Sequence, residues 1–382
     1  MTTEPQVCGG IFVGEAEAPQ NARAQALKRI LSASIFRMVG SGSGARAVDP
    51  QAGALGTTPL KLIVSRRTQT ARGLPAGRQP PVGRRRPAAR AVGVGGTGND
   101  GPQPRVAFVF GGGGSKGAAQ VGMLRAIVER GIVADAVYGT SAGAINAAAY
   151  ASDPTPGGVD AVEKVWRGLT RESVFPAFST HVQWRFFQRR EAVYPNDGLR
   201  NVIESGLLYR NLEDMPIPLH IVTTDTYEGQ PKWLERGPAV EALLASAAIP
   251  GVFPPVVIGG VPCIDGGVVD NVPLAKAVAG GATRVFVLLC APLRYEEYRN
   301  KRPVEAVLSA FFLSIHSGFR RDLADLPAGT EAIVFTVAGD SMPRYDDFSA
   351  TDALISEGYR GACSVLDAWE RGLTGEVWSQ AG

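Results

Sequence analysis

Long apolar runs are absent from this chain of 382 residues. The most apolar segments, 285–290 and 306–315, are far shorter than the roughly 20 residues that a membrane-spanning helix needs. The first residues show no basic segment followed by an apolar one, the pattern of a secretory signal peptide. We therefore expect no transmembrane segment and a cytoplasmic location, either free or bound peripherally to a membrane.

Cysteine and histidine are scarce as well. The four cysteines stand far apart without a CxxC pair, so they fit neither a disulfide framework nor a zinc site, and a reducing compartment is expected. The three histidines are His181, His220 and His316. So few histidines restrict the choice of a general base, a role that histidine fills most often.

Charge is unevenly distributed along the chain. Residues 1–100 contain 14 Lys or Arg and 5 Asp or Glu, whereas the rest contains 25 basic and 31 acidic residues. Residues 42–98 are rich in Gly, Pro, Ala and Arg and have few large apolar side chains to offset the entropy of ordering. We predict a largely disordered basic extension over 1–100 and one domain over 101–375.

One helical stripe interrupts that extension at residues 27–38. Its apolar side chains recur at helical spacing beside basic ones. Such a segment is typical either of a helix that touches an anionic membrane or of a marginal helix without a chemical role.

After residue 105 the sequence alternates between two kinds of pattern. Short apolar runs predict buried strands at 105–110, 134–138, 219–224, 284–290 and 331–337, and a hairpin at 256–264. Helices are predicted at 117–129, 142–151, 239–248, 273–279, 304–318 and 349–369. Continuously apolar strands that alternate with helices predict an α/β fold with three α/β/α layers and a mostly parallel central sheet.

The motif Gly139-Thr-Ser141-Ala-Gly143 lies between a predicted strand and a predicted helix, which is the setting that a GxSxG turn requires. Such a tight turn strains the backbone at the serine, so the neighbouring residues must be small. It also presents the hydroxyl at the carboxyl edge of the sheet, beside a helix N-terminus. The motif predicts a nucleophile at Ser141; the alternative is a helix-capping serine between two packing glycines.

A second glycine-rich motif, residues 111–117, follows the first predicted strand. Successive glycines allow backbone N–H groups to converge on one anionic atom. The glycine spacing does not fit a phosphate-binding P-loop. Gly112, Gly114 and Gly117 do match a dinucleotide fingerprint, but the second predicted strand ends without the acidic residue that would bind the ribose. An oxyanion hole that faces Ser141 would explain both motifs.

A serine hydroxyl needs a base to accept its proton. No histidine stands in a glycine-flanked turn after a strand, and His220 lies inside an apolar run. Asp265 follows a β run and precedes Gly266 and Gly267, which leave its carboxylate room to reach a neighbouring loop. Asp265 is therefore the predicted base. A turn aspartate that accepts backbone N–H groups, and a triad completed by a histidine, are the alternatives.

These motifs resemble, in order, the three signatures of the patatin-like phospholipase family: GGGGxKG after the first strand, GTSAG and DGG. Segments 245–255 and 265–273 are similar to that family too. The resemblance is strong over about 105–290 and weak over 291–370. It implies a patatin-like fold and a hydrolase for carboxylic esters of lipids, of the phospholipase A or lysophospholipase type.

The resemblance also implies roles, transferred by motif position. Ser141 and Asp265 would form a catalytic dyad that needs no histidine, metal or cofactor. The glycines expected to donate N–H groups to the oxyanion are Gly112, Gly113 and Gly114. The residues expected to support the motifs are Lys116, Gly117, Gly139, Gly143, Gly266 and Gly267. A lipid or phospholipid, presented at a membrane surface, is the expected partner; nucleic acid is not, and the oligomeric state is not predicted.

Two other functions stay open on the sequence. The protein could bind lipid without turnover, or it could be an oxidoreductase built on the dinucleotide fingerprint. Residues 175–190 are a candidate lid, with a connecting helix as the alternative. Phe253 and segment 250–255 are candidate walls of an acyl pocket, with core packing as the alternative.

Overall fold

The computed structural model describes residues 63–66, 105–175, 192–290, 318–337 and 344–373. The chain divides into two units, Met1–Thr57 and Thr58–Gly382, and all the described residues belong to the second. Several predictions fall on residues outside the described ones: the helix at 27–38, lid residues 176–190, helix residues 304–317, and the histidines His181 and His316. They stay predictions.

The described residues form a nine-stranded mixed sheet in the order β1-β9-β8-β2-β3-β4-β7-β6, with β5 also paired to β4. Strands β9, β8, β2, β3 and β4 are mutually parallel, and the antiparallel strands lie toward the margins. The strands are β1 Ile63–Arg66, β2 Val106–Phe110, β3 Ala136–Thr140, β4 Leu219–Asp225, β5 Pro231–Leu234, β6 Val256–Ile258, β7 Val261–Asp265, β8 Arg284–Leu288 and β9 Glu331–Phe335.

Helices cover both faces of the sheet. They are α1 Ala118–Glu129, α2 Ala142–Ser152, α3 Pro156–Gly168, α4 Arg171–Val174, α5 Asp197–Gly206, α6 Ala239–Ser246, α7 Leu274–Ala279 and α8 Thr351–Glu370, and residues 318–324 are also helical. Short 3-10 turns span Gly114–Gly117, Leu212–Asp214 and Gly266–Val268.

The central strands are apolar along their whole length because both faces are covered. In β2, Phe108 and Phe110 belong to a core shared with α1, α2, α6 and α8. Ala107 and Val109 belong to the opposite core, shared with α7 and residues 318–326. The predicted three-layer α/β/α fold with a mostly parallel centre is confirmed.

Strand and helix bounds between 105 and 290 lie within two residues of the predicted ones, but some elements were not predicted. Helix α3 starts with Pro156-Gly-Gly, which is typical of a turn, yet Pro156 fills the first helical position and the Thr155 hydroxyl accepts the Gly158 N–H at 3.2 Å. Strand β1 lies within the segment predicted to be disordered, where its backbone pairs with β9. The rest of that segment is not described, so its disorder stays a prediction.

The strand register brings two distant residues to one level. Thr140 pairs with Val222, so Ser141 follows at the level of Thr223, and Thr223 pairs on its other side with Asp265. Ser141 and Asp265 thus flank the same residue of β4 at the carboxyl edge of the parallel strands. Ligand sites of open α/β sheets form at this edge.

Candidate active site

Ser141 occupies a strained turn between β3 and α2. Its φ of 55° makes it the one non-glycine residue with positive φ among the described residues, a conformation that costs about 1–3 kcal/mol and must be enforced by packing. A Cβ on Gly139 would lie 2.6 Å from Ala144 Cα, and one on Gly143 would lie 2.4 Å from the Phe110 carbonyl oxygen. These glycines let the turn pack tightly enough to hold Ser141 in place.

The Ser141 hydroxyl contacts Asp265. Its Oγ donates to Asp265 Oδ2 at 2.7 Å, although the two residues are 124 positions apart. Ser141 stands at the N-cap position of α2 but makes no side-chain capping bond, so the capping alternative fails. Ser141 is 6% exposed and Asp265 7%, so both residues of the pair are buried.

Asp265 uses its two carboxylate oxygens differently. Oδ1 accepts the Gly267 N–H at 2.7 Å, as a turn aspartate would, and this leaves Oδ2 for Ser141. A Cβ on Gly266 would lie 2.3 Å from the Val222 carbonyl oxygen, so this glycine lets the loop pass directly over β4. The Thr224 hydroxyl fixes the Asp265 main chain by donating to its carbonyl oxygen at 2.8 Å.

Burial sets the proton affinity of this carboxylate. It raises the Asp265 pKa from 3.8 to about 6, and the bonds from Ser141 and Gly267 only partly oppose the rise. Neither donor is a cation. Asp265 is therefore a stronger base than an ordinary aspartate and is still ionised at neutral pH.

Ser246 also takes part in the site, which the sequence reasoning missed. The Ser141 N–H donates to Ser246 Oγ at 2.9 Å, and that hydroxyl donates to the Val222 carbonyl oxygen at 2.7 Å. Ser246 is fully buried at the end of α6. Its signal in the sequence is a hydroxyl in an otherwise apolar, Ala-rich helix end, because a buried hydroxyl requires partners.

The glycine loop lies beside Ser141, but its N–H groups differ in availability. The Gly112 N–H donates to the Asn271 carbonyl oxygen at 3.1 Å, which corrects its predicted role as an oxyanion donor. Among the described residues, the N–H groups of Gly113 and Gly114 have no acceptor. Gly114 has a φ of 60°, and a Cβ there would lie 2.7 Å from the Tyr345 carbonyl oxygen, so only glycine suits this position.

Lys116 is a buried residue of this loop, and Cys290 packs against it. Lys116 is 8% exposed, and burial lowers its pKa while the nearby Cys290 opposes the change. Burial raises the Cys290 pKa to about 12, so its thiol is protonated, and Sγ donates to the Gly111 carbonyl oxygen at 3.3 Å. A Cβ on Gly113 would lie 2.3 Å from Cys290 Cβ. Cys290 therefore packs tightly against the loop.

His220 does not complete a triad with Ser141. It pairs in register with Tyr138, and its ring stacks on that of Tyr138 at 4.5 Å. Its Nδ1 lies 2.8 Å from Glu235 Oε1, close enough for an ion pair but not aligned as a hydrogen bond. Tyr138 belongs to the core on the face covered by α7.

Phe253, a predicted wall residue, and Phe175, the first residue of the candidate lid, are buried and pack together beside Tyr345. Phe253 stacks on Phe175 at 5.2 Å, and Phe175 meets Tyr345 edge-on at 6.0 Å. The Tyr345 carbonyl oxygen accepts the Ser115 N–H at 2.8 Å. These contacts therefore join the first residue of the candidate lid to the glycine loop.

Two kinds of feature are absent from the described part of the chain. No three His, Cys, Asp or Glu side chains converge there as a metal ligand set. No helix there is both long enough and apolar enough to cross a membrane.

Comparison with known proteins places this site in a family context. Residues 108–278 match the family model described as Patatin-like phospholipase. An uncharacterized NTE family protein of Mycobacterium tuberculosis is 32% identical over 177 residues, which cover 46% of each chain. Lysophospholipase NTE1 of Mycosarcoma maydis is 31% identical over 183 residues, covering 48% of this chain and 9% of that one. This chain thus spans about half the length of the first relative and much less of the second.

Solved structures show weaker likenesses. VipD from Legionella pneumophila has 14% sequence identity and a TM-score of 0.40, with 70% of this chain and 67% of that chain covered. Human GIVD cytosolic phospholipase A2 has 9% identity and a TM-score of 0.37, with 71% and 63% covered.

Proposed function

Because residues 108–278 match the Patatin-like phospholipase family model, we propose that this protein is a serine acyl hydrolase that cleaves carboxylic esters of lipids. The observation that carries the proposal is the buried 2.7 Å hydrogen bond from Ser141 Oγ to Asp265 Oδ2, formed at a strained strand-to-helix turn. A substrate of the phospholipase A or lysophospholipase type is supported by a relative named lysophospholipase.

Acylation uses both members of the pair. Ser141 Oγ attacks the ester carbonyl carbon while Asp265 Oδ2 accepts the hydroxyl proton. Because the two events are concerted, no free serine alkoxide has to form. The tetrahedral intermediate then expels the alcohol oxygen, and Asp265 returns the proton to it. The products are an ester of the acyl chain on Ser141 and a free alcohol.

The glycine loop stabilises the oxyanion. The N–H groups of Ser141 and Gly112 are already bonded within the protein, which leaves those of Gly113 and Gly114 to donate. They are fixed before the reaction begins, so their dipoles need no reorganisation when charge develops on the carbonyl oxygen.

Deacylation repeats the chemistry with water. Asp265 accepts a proton from a water molecule as its oxygen attacks the acyl carbon, and the Ser141 oxygen leaves with that proton. A fatty acid is released, and the serine hydroxyl is restored.

The test is release of p-nitrophenol from a medium-chain ester, together with covalent labelling by a fluorophosphonate, which reacts readily only with an activated serine. Ser141→Ala should remove both signals. Ser152→Ala is the matched control, because that buried hydroxyl donates only to the Ala148 carbonyl oxygen at the far end of α2.

Each competing reading predicts a different result. Full turnover in Ser141→Ala would reject the proposal. A lipid-binding protein without activity would give neither turnover nor labelling in the unmutated chain. The oxidoreductase reading predicts a thermal shift with NAD or NADP, and we expect none, because β3 runs into Ser141 without an acidic residue for the ribose.

A further inference from the structure

Asn271 holds Gly112 by its main chain and its side chain. The Asn271 carbonyl oxygen accepts the Gly112 N–H at 3.1 Å, and Asn271 Nδ2 donates to the Gly112 carbonyl oxygen at 3.3 Å. A Cβ on Gly112 would lie 2.4 Å from Asn271 Oδ1 and 3.2 Å from Ser141 Cβ. The asparagine amide, the glycine and the nucleophile therefore meet at one point.

Among the described residues, the bond from Asn271 to the Gly112 carbonyl oxygen is the one hydrogen bond made by the Gly112–Gly113 peptide unit. The carbonyl of one residue and the N–H of the next point in opposite directions across a planar trans peptide, and the described residues contain no cis peptide. With the Gly112 oxygen held by Asn271, the Gly113 N–H points away from Asn271. Neither glycine has a side chain to oppose rotation of this peptide.

Asn271 also contacts the loop that carries the base. A Cβ on Gly267 would lie 2.8 Å from Asn271 Oδ1, and Gly267 is the residue whose N–H binds Asp265. One side chain thus touches both the glycine loop and the Asp265 loop.

Building on the proposed hydrolase function, we propose that Asn271 is a positioning residue, which holds the Gly112–Gly113 peptide so that the Gly113 N–H donates to the oxyanion. The side chain itself touches no reacting atom. Its amide donor is essential, because a carboxylate in its place would face the Gly112 carbonyl oxygen and favour the flipped peptide, with the Gly113 N–H turned toward the carboxylate.

Two substitutions separate donor loss from repulsion. In Asn271→Ala the Gly112 oxygen loses its donor; in Asn271→Asp it faces a negative charge. We expect kcat for a p-nitrophenyl ester to fall about 10–100-fold in the alanine variant and about 100–1,000-fold in the aspartate variant, the range for losing one oxyanion donor. KM should stay within about threefold of the wild-type value, because the hydrogen bond from the Gly113 N–H forms fully only with the oxyanion and not with the ground-state ester.

A transition-state analogue distinguishes this role from a structural one. An alkyl trifluoromethyl ketone forms a tetrahedral adduct whose oxygen needs the same N–H groups, so its Ki should rise by the factor by which kcat/KM falls. The acidic limb of the pH profile, which reports the base, should not move. Val268→Ala, at a partly exposed position of the same segment, is the matched control and should behave as wild type.

Three results would contradict the assignment of Asn271 as a positioning residue. If both Asn271 variants keep more than half of kcat, or if the aspartate variant is no worse than alanine, the assignment is wrong. The same holds if ketone affinity is unchanged while turnover and the melting temperature fall together. Failure of the hydrolase function is a separate result: the unmutated chain would then show no turnover that depends on Ser141.

Discussion

Asp265 and Glu235 each lie beside a residue type that is common in active sites, a serine and a histidine, but their electrostatic environments differ. Asp265 is buried against Ser141 with two uncharged donors, and burial raises its pKa to about 6. Glu235 directly follows β5 and lies near His220 and Lys276. Its partial burial would raise its pKa, but the interactions with His220 and then Lys276 outweigh this effect, and its pKa is lowered.

The difference shows which carboxylate can act as a base. A carboxylate beside a cation such as Lys276 is stabilised in its charged form and has less affinity for a proton, whereas a buried one without a cation gains proton affinity. The His220–Glu235 pair has the residue types of a triad, yet it lies against Tyr138 rather than Ser141. Electrostatic environment and distance to Ser141 therefore favour Asp265 as the proposed base, where residue type alone would favour the histidine.

Among the expected changes in turnover, the largest should follow from neutralising Asp265, whereas neutralising Glu235 should change little. Asp265→Asn keeps the shape of the side chain, but with Oδ1 on the Gly267 N–H its amide would donate to Ser141 Oγ, which then cannot pass its proton on. We expect kcat for a p-nitrophenyl ester to fall about 10²–10⁴-fold. Steady-state kinetics on Glu235→Gln provides the matched control, with less than a threefold change expected.

A second pair of variants would contradict the assignment of Asp265 as the base. Full activity in Asp265→Asn together with a large loss in His220→Ala would show that a histidine accepts the proton after all.

The pH profile sharpens the same comparison. The base must be ionised to accept a proton, so kcat/KM should be constant above the Asp265 pKa and should fall about tenfold per pH unit below about 6. Measuring ester hydrolysis from pH 4.5 to 8 checks this. His220→Gln should leave the acidic limb in place; a shift of the limb in that variant would tie it to the histidine.

Much of this arrangement could be predicted from the sequence because it is local. The glycines around Ser141 and after Asp265 are spaced as tight turns demand, and the apolar runs between 105 and 290 match the buried strands. What could not be predicted depends on register. The sequence does not distinguish Gly112 from Gly113, because only the bond to Asn271 shows which N–H is already used.

Ser246 shows the same limit. Its bond to the Ser141 N–H joins residues 105 positions apart, and no spacing rule encodes such a contact. Strand β5 was missed for a related reason: it starts with a proline and has few apolar residues, so it forms mainly because β4 offers a partner.

Stability measurements on Glu235 should give the smallest effect. Its pKa is lower in the folded protein, so its interactions stabilise the fold above the ordinary glutamate pKa and lose that contribution as pH falls through the lowered value. The side chain is 45% exposed, so solvent screening limits the contribution to under about 1 kcal/mol. Urea unfolding should therefore find Glu235→Gln slightly less stable than wild type at pH 7, with the difference shrinking toward pH 4 and at high salt. A loss of several kcal/mol, or one that does not shrink as the pH falls below the ordinary glutamate pKa, would mean that Glu235 acts through core packing. The contrast with Asp265 would then no longer be one of charge partners alone.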